Sequence, residues 1–481
     1  MSALEGLIRM VLEFMETGIP GAERLLRGFP RGSLIVVRGT PGTGKTVFGA
    51  TFLHEGAVKY GEPGVYASFG ENKEKFYGFM KGFGMDFEKL EGKSLFRFLS
   101  LPTILEAGIG GIFTEILEAA DAISARRLVI DPFTALSQGF KSEAEARAFL
   151  HTLLSNIVSR LGCTTLLIKE ELESEGRYSF EDYVADALIC LKTARFEDKL
   201  LREVTFVKTR GSEIRSPNVC ATLHQGFKLL PRQRVPKPPI SPRFEPPQDP
   251  PGAYTTGIAE LDNEIGGYPH DSIILWEISP YVTFHEYSLV LAPALASFLA
   301  KNRPYVLLPS IGITWRSIRD LYVKYYGISE SKLGELMRIL VMGPIEIEPP
   351  SYVRLLSGQS CQETFKEFRE IVHLLAEEKG RHIARLLGAD TLTAMFGEEV
   401  FRFFEMWTSC FKETGGLAML IAKPVHPHLI KMLSPMVDMH FKITKKHGCI
   451  MFYGKKPETP LYAVQPDPEK SALTPKIMPV V

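Results

Sequence analysis

The chain lacks the features that mark disulfide-rich, metal-clustered or membrane-spanning proteins. Its 481 residues include six cysteines, Cys163, Cys190, Cys220, Cys361, Cys410 and Cys449, and none stand in Cys-x-x-Cys spacing. That scatter disfavours a zinc site and a disulfide framework, and it fits a reducing cytoplasm. No uncharged apolar run reaches the ~18 residues of a membrane span, so no membrane partner is expected. Lys plus Arg and Asp plus Glu both total 56, which leaves a formal net charge of zero. No global field therefore draws the chain to nucleic acid or anionic lipid, although local basic patches are compatible with this balance. The stretch Met1 to Glu16 is interrupted by Glu5, Arg9, Glu13 and Glu16, so it lacks the apolar centre of a secretory signal.

What is present is an ordinary globular composition, 45% hydrophobic and 23% charged. The length exceeds what one hydrophobic core usually serves and suggests two large domains. Leu4, Leu7, Ile8, Val11, Leu12 and Met15 recur at helical spacing, which predicts an amphipathic helix over residues 1–16. Residues 231–253, PRQRVPKPPISPRFEPPQDPPGA, are too rich in proline for helix or sheet and read as an interdomain linker; a ligand for a recognition module is the competing reading.

Across that linker the chain repeats itself. Thr17-Gly18-Ile19 returns as Thr256-Gly257-Ile258, an offset of 256 − 17 = 239 residues. At the same offset Gly28 matches Gly267, Pro30 matches Pro269, Ser33 matches Ser272, Ile35 matches Ile274 and Pro41 matches Pro280. Asp131 to Leu136 later answers to Asp390 to Met395. Such agreement marks an internal duplication, so the halves, residues 17–230 and 254–465, share one fold, followed by a tail at 466–481. Apolar runs at Ser33–Val37, Gly64–Phe69, Arg127–Ile130 and Thr164–Ile168 alternate with helical stretches and predict buried parallel strands. Val184–Lys192 and Glu203–Lys208 add two strands, with an antiparallel edge as one possibility. The fold class is α/β.

Gly39-Thr40-Pro41-Gly42-Thr43-Gly44-Lys45-Thr46 is a complete G-x-x-x-x-G-K-T phosphate loop between the apolar strand LIVV and a helix. Its backbone amides and the helix N-terminus suit a β-phosphate, Lys45 suits the β- and γ-phosphate oxygens, and Thr46 suits magnesium. ATP and Mg2+ are the expected ligands. Asp131, ending the run RLVID, is the expected second residue to orient the metal, against the plainer role of a helix cap.

These elements, with Gly61 to Phe69, Tyr183-Val184-Ala185-Asp186 and Val207-Lys208-Thr209-Arg210-Gly211, resemble the KaiC-like branch, archaeal and bacterial, of the RecA-superfamily ATPases. The resemblance covers almost the whole first half. It implies two tandem RecA-like P-loop domains and a homohexameric ring with ATP between subunits. In such a ring Lys208 and Arg210 would reach the phosphates of the neighbouring protomer; read without the resemblance, they are solvated residues at a strand end. The family pattern has two adjacent glutamates after its second strand, whereas this chain has Gly70-Glu71. Either Glu71 serves alone as the base or hydrolysis is slow. Glu170 and Glu171 offer a substitute carboxylate, against the plainer reading of a solvated loop.

In the second half the loop reads Ile278-Ser279-Pro280-Tyr281-Val282-Thr283-Phe284-His285, with every glycine gone and Phe284 in the place of Lys45. ATP binding of that kind is not expected there, and Asp390 is expected to have lost its metal. His285 reads as structural rather than metal-binding, and kinase activity is not expected. The leading function is a cytoplasmic ATPase, or an ATP-dependent regulator acting on an unidentified protein partner. A non-catalytic ATP-held ring scaffold is the alternative. A RecA-like DNA motor is less favoured, because no DNA-binding module precedes the core.

Overall fold

The computed structural model describes residues 13–101, 108–137, 140, 142–153, 161–171, 179–240, 242–343, 348–380, 382–426, 428–470 and 472–481. It divides into two compact units, residues 1–232 with 480–481, and residues 233–479.

In the first unit the strands are β1 (Leu34–Gly39), β2 (Gly64–Ser68), β3 (Phe96–Ser100), β4 (Arg127–Asp131), β5 (Thr164–Glu170), β6 (Ala187–Phe196), β7 (Lys199–Thr209), β8 (Asn218–Thr222) and β9 (Lys228–Leu230), with helix α1 (Lys45–Tyr60) after β1. They form one nine-stranded sheet in the order β9-β8-β7-β6-β1-β5-β4-β2-β3. From β6 to β3 every pairing is parallel, and β6 to β9 are antiparallel. The apolar runs of β1 and β4 have both faces covered, which is why they read as continuous rather than alternating. β3 escaped the sequence reading because it is a sheet edge with an exposed Arg97 in its alternation. Its Phe96 and Phe98 join Phe76, Phe87, Tyr66 and Tyr77 in an aromatic cluster, with the Phe87 and Phe96 ring centroids 4.4 Å apart. Such pairs contribute about 0.5–1.5 kcal/mol beyond their burial.

At the start of β4, an interior strand, Arg127 is fully buried. It donates to Glu62 at 2.8 Å and to the carbonyls of Thr17, Phe52 and Glu16 at 3.0, 2.8 and 2.8 Å. It thereby ties the entry segment to β4. Removing this buried cation would leave Glu62 paired with Arg31 alone, at 3.0 Å, and the Thr17, Phe52 and Glu16 carbonyls without this donor.

The expected N-terminal helix falls largely outside the described residues. Its end does not continue as helix: Phe14–Met15 is a short strand paired with Phe29–Pro30. The proline-rich segment is no free spacer beyond Arg232, for its carbonyls find donors in the second unit. Tyr325 Oη donates to Pro236 O at 3.1 Å, and Lys301 Nζ donates to Pro247 O and Asp249 at 2.6 and 2.8 Å.

In the second unit the strands are β10 (Ser272–Ile278), β11 (Tyr305–Leu308), β12 (Met337–Met342), β13 (Val353–Leu356), β14 (Ala384–Gly388), β15 (Leu417–Ala422), β16 (Met439–Lys446), β17 (Cys449–Lys456), β18 (Tyr462–Pro466) and β19 (Pro475–Pro479). The helices used below are α2 (Phe284–Ala300), α3 (Cys361–Lys379) and α4 (Val400–Thr414). The ten strands are ordered β13-β12-β11-β14-β15-β10-β16-β17-β18-β19. The expected tail is thus partly an edge strand, β19, antiparallel to β18.

The units are two tandem RecA-like domains, and matching bonds carry the duplication. Thr17 Oγ1 accepts from Ile19 N at 3.1 Å, and Thr256 Oγ1 accepts from Ile258 N at 3.2 Å. Asp186 accepts from Leu34 N at 3.0 Å, and Asp438 accepts from Ile273 N at 2.8 Å, each fixing the start of a central strand.

Candidate nucleotide site

The sequence after β1 forms a loop because its glycines allow backbone that other residues resist. Gly39 packs against β6 so closely that a Cβ there would stand 2.4 Å from Leu191 O. Gly44, at φ 94°, is the N-cap of α1 and offers no side-chain cap. The first amides of α1 are therefore left without a side-chain acceptor, the arrangement that suits an anion.

Side chains from the loop itself, from the first turn of α1, from β2 and from the end of β4 meet here. Lys45 Nζ donates to the carbonyls of Gly39 and Thr40 at 2.8 and 2.9 Å, and Thr43 Oγ1 donates to Thr40 O at 2.8 Å. Thr46 Oγ1 donates to Asp131 Oδ2 at 2.8 Å, and the Tyr66 hydroxyl donates to the same oxygen. Burial raises the Asp131 pKa, while the bonds from Tyr66 and Thr46 and the charge of Lys45 oppose the rise. Burial lowers that of Lys45, with Glu170 and Asp131 opposing. Burial also raises Glu71; Lys75 lowers it and Asp131 raises it further. Glu71 Oε2 is buried with no hydrogen-bond partner among the described residues, and the Glu71 backbone amide donates to Ser68 Oγ at 2.9 Å. A hydroxyl and a carboxylate, both hard oxygen donors, fit a magnesium ion completed by phosphate and water. Among the described residues no group of three His, Cys, Asp or Glu side chains is arranged to hold a metal.

Gly39 to Thr46, Asp131 and Glu71 are thus brought together. Lys208 and Arg210 bond elsewhere in their own chain: Lys208 Nζ donates to Asp182 O and Tyr183 O at 3.0 and 3.1 Å, and Arg210 pairs with Asp186 at 3.2 Å. Glu170, the last residue of β5, pairs in register with Gly39 and is exposed, and Glu171 N donates to Gly39 O at 3.1 Å. Gly70 faces open space, where a Cβ would meet only Pro132 Cδ at 4.0 Å.

Two residues near the loop carried no signal in the sequence. Tyr66 reaches Asp131 because β2 and β4 are neighbours, and Arg202 on β7 donates to Gly42 O at 3.5 Å. Both depend on strand register, and only a register model would have found them.

The corresponding place in the second unit is built differently. Thr283 caps α2, and its backbone N donates to Glu286 at 2.9 Å in a capping box; Lys445 holds Glu286 at 2.5 Å. The helix end that is open in the first unit is closed here by its own side chains. Asp390 accepts from Ser310 Oγ, Ile311 N and Thr391 N at 2.5, 3.3 and 3.0 Å. His285 is exposed and stands 6.2 Å from the Tyr325 ring, so it is not a packed structural histidine. Arg38 on β1, paired with Asp182 and Glu171, is answered on β10 by Glu277, paired with Lys455, Lys442 and His440. The charge at this strand end is reversed between the units.

A family model for the KaiC ATPase matches residues 15–225. Among curated proteins, the circadian clock protein KaiC3 of Synechocystis sp. is 29% identical over 55% of this chain and 53% of its own length. The circadian clock oscillator protein KaiC of Synechococcus elongatus is 29% identical over 54% and 51%. The chain spans about half the length of the curated relatives it matches. Among solved structures, a KaiC-like protein from the hyperthermophilic archaeon Pyrococcus horikoshii OT3 is 30% identical, with a TM-score of 0.42, over 46% of this chain and 100% of that one. Residues 15–225, which carry the complete phosphate loop, thus form a domain of the KaiC ATPase family.

Proposed function

We propose that the first unit binds Mg2+-ATP at Gly39 to Thr46 and hydrolyses it slowly, at an interface between copies of the chain in a homohexameric ring. The observation that carries this reading is the Thr46 to Asp131 hydrogen bond at the mouth of an uncapped helix. Thr46 and Asp131 would hold the metal, which when bound supplies positive charge to the phosphates. The loop amides and Lys45 would bind the β- and γ-phosphates, with the ammonium exchanging the Gly39 and Thr40 carbonyls for phosphate oxygens. Glu71 would take the proton of the attacking water, and its raised pKa makes it a stronger base once ionised. Lys208 and Arg210 would act on the neighbouring copy's nucleotide, leaving the acceptors they hold in their own chain.

Slow turnover follows from Gly70, which leaves the water with one carboxylate beside it. The second unit would bind no ATP in this manner, since Thr283 and Glu286 already satisfy its helix end, and kinase activity is not proposed. Nucleotide state would then be read out by a protein partner. Gly70 also favours a second reading, a ring that ATP holds together without turnover.

The test is Mg2+-dependent ATP hydrolysis and ATP binding by the full chain beside Lys45→Ala. Turnover that disappears in the variant supports the ATPase; tight binding with no turnover favours the scaffold; no binding overturns both.

A further inference from the structure

The second unit has a groove of about 720 Å³ against α3 and α4, remote in sequence from its degenerate phosphate loop. That volume lies within the range of small-molecule pockets. Phe365, Phe368, Trp407 and Phe411 give it aromatic walls, and Val372 and Ala376 extend the apolar lining. Arg385 on β14 also lines it, although only 4% of that residue is exposed.

Arg385 is a buried cation. Its Nη1 donates to Gly415 O at 2.6 Å and its Nη2 to Thr414 Oγ1 at 3.1 Å, and its Cζ lies 4.9 Å from the Phe411 ring centroid. Those bonds cap the C-terminal end of α4 and use two of the five guanidinium N–H donors. Among the described residues no carboxylate forms an ion pair with it. Asp271, one of the two groups that favour its charge, spends an oxygen on Gly416 N at 2.7 Å. Burial pushes the Arg385 pKa down to about 10, and the neighbouring Tyr254 and Asp271 only partly oppose this.

A buried charge left unpaired is costly, and an anion that reaches it removes that cost. The groove also carries Arg369 and three carboxylates, Glu370, Glu377 and Glu413, with Glu377 paired to His373 at 3.2 Å. Those carboxylates disfavour a dianion such as a phosphate ester, and the aromatic walls favour a flat apolar body. We propose that this groove binds a small aromatic carboxylic acid, its carboxylate on the Arg385 guanidinium and its ring among Phe365, Phe368, Trp407 and Phe411. The proposal stands apart from the nucleotide site and does not depend on it.

Isothermal titration of the full chain with phenylacetate, 4-phenylbutyrate and 1-naphthylacetate, each beside its neutral primary amide, tests it. At least one acid is expected to saturate a single site with its amide at least about tenfold weaker, because the amide offers no charge to Arg385. Arg385→Met should abolish that binding. Ala376→Trp, which fills the groove and leaves Arg385 intact, should also abolish it while thermal unfolding stays cooperative. This second variant decides the matter if Arg385→Met fails to fold. Equal affinity for acid and amide, binding that survives the folded variants, or no saturation by any of the three acids at about 5 mM would overturn the proposal.

Discussion

The hydroxyl of Thr46 and the carboxylate of Asp131, 85 residues apart in sequence, meet at 2.8 Å at the mouth of the phosphate loop. The bond couples the first turn of α1 to the end of β4, two strands away from β1 in the sheet. It sets two hard oxygen ligands at the spacing a small divalent ion needs.

Asp131→Asn keeps the size of the side chain and removes its charge. It is expected to lower Mg2+-dependent ATP turnover by about a hundredfold or more, because the metal loses its anionic anchor. ATP affinity measured in Mg2+ should fall toward that measured in EDTA. An unchanged Mg2+ dependence would remove Asp131 from the metal site.

Gly70→Glu restores a second carboxylate beside Glu71. A Cβ at Gly70 meets nothing closer than 4.0 Å, so the change should leave stability within about 0.5 kcal/mol. Turnover is expected to rise by about tenfold or more if water activation limits the rate. Single-turnover hydrolysis separates this from faster product release.

The proposed action of Lys208 and Arg210 on the neighbouring copy's nucleotide predicts complementation. Lys45→Ala and Arg210→Ala should each be nearly inactive, whereas subunits of the two mixed in one ring should recover up to about a quarter of wild-type turnover, the random-mixing share of intact interfaces. Mixing that restores nothing, with exchange of subunits verified by mass, would assign Arg210 to its own strand end.

Glu277 predicts an acid-sensitive second unit. Burial alone would raise its pKa, but His440, Lys455 and Lys442 hold it at about 2. The folded-state value lies below the ordinary glutamate value, so the contribution is complete above about pH 4.5 and is lost as pH falls toward 2. Discounted for solvent screening, it amounts to about 1–3 kcal/mol. Glu277→Gln should therefore lower the stability of this unit at pH 7 and flatten its loss between about pH 4.5 and 2, as read by denaturant unfolding.

Much of the first unit was legible locally. Gly39 to Thr46 is recognisable because phosphate binding is performed by consecutive backbone amides, so the requirement for glycine, lysine and threonine is written in consecutive residues. Asp131 was legible because an apolar strand buried on both faces ends on a carboxylate. β3 was not, since an edge strand with one exposed face leaves a weak pattern.

The sequence by itself determined the fold class, the duplication and the loss of the second phosphate loop, because glycine content, apolar periodicity and repeated residues are properties of short segments. Only the tertiary structure decided what surrounds the loop and what replaced it. Arg202 meets Gly42 through the pairing of β6 with β7, whose register shifts between Leu188 and Ile189, and no local pattern encodes that shift. Likewise Thr283 and Glu286 are ordinary residues in the sequence until α2 begins between them. At that point the amides that phosphate would have satisfied are satisfied by the chain itself.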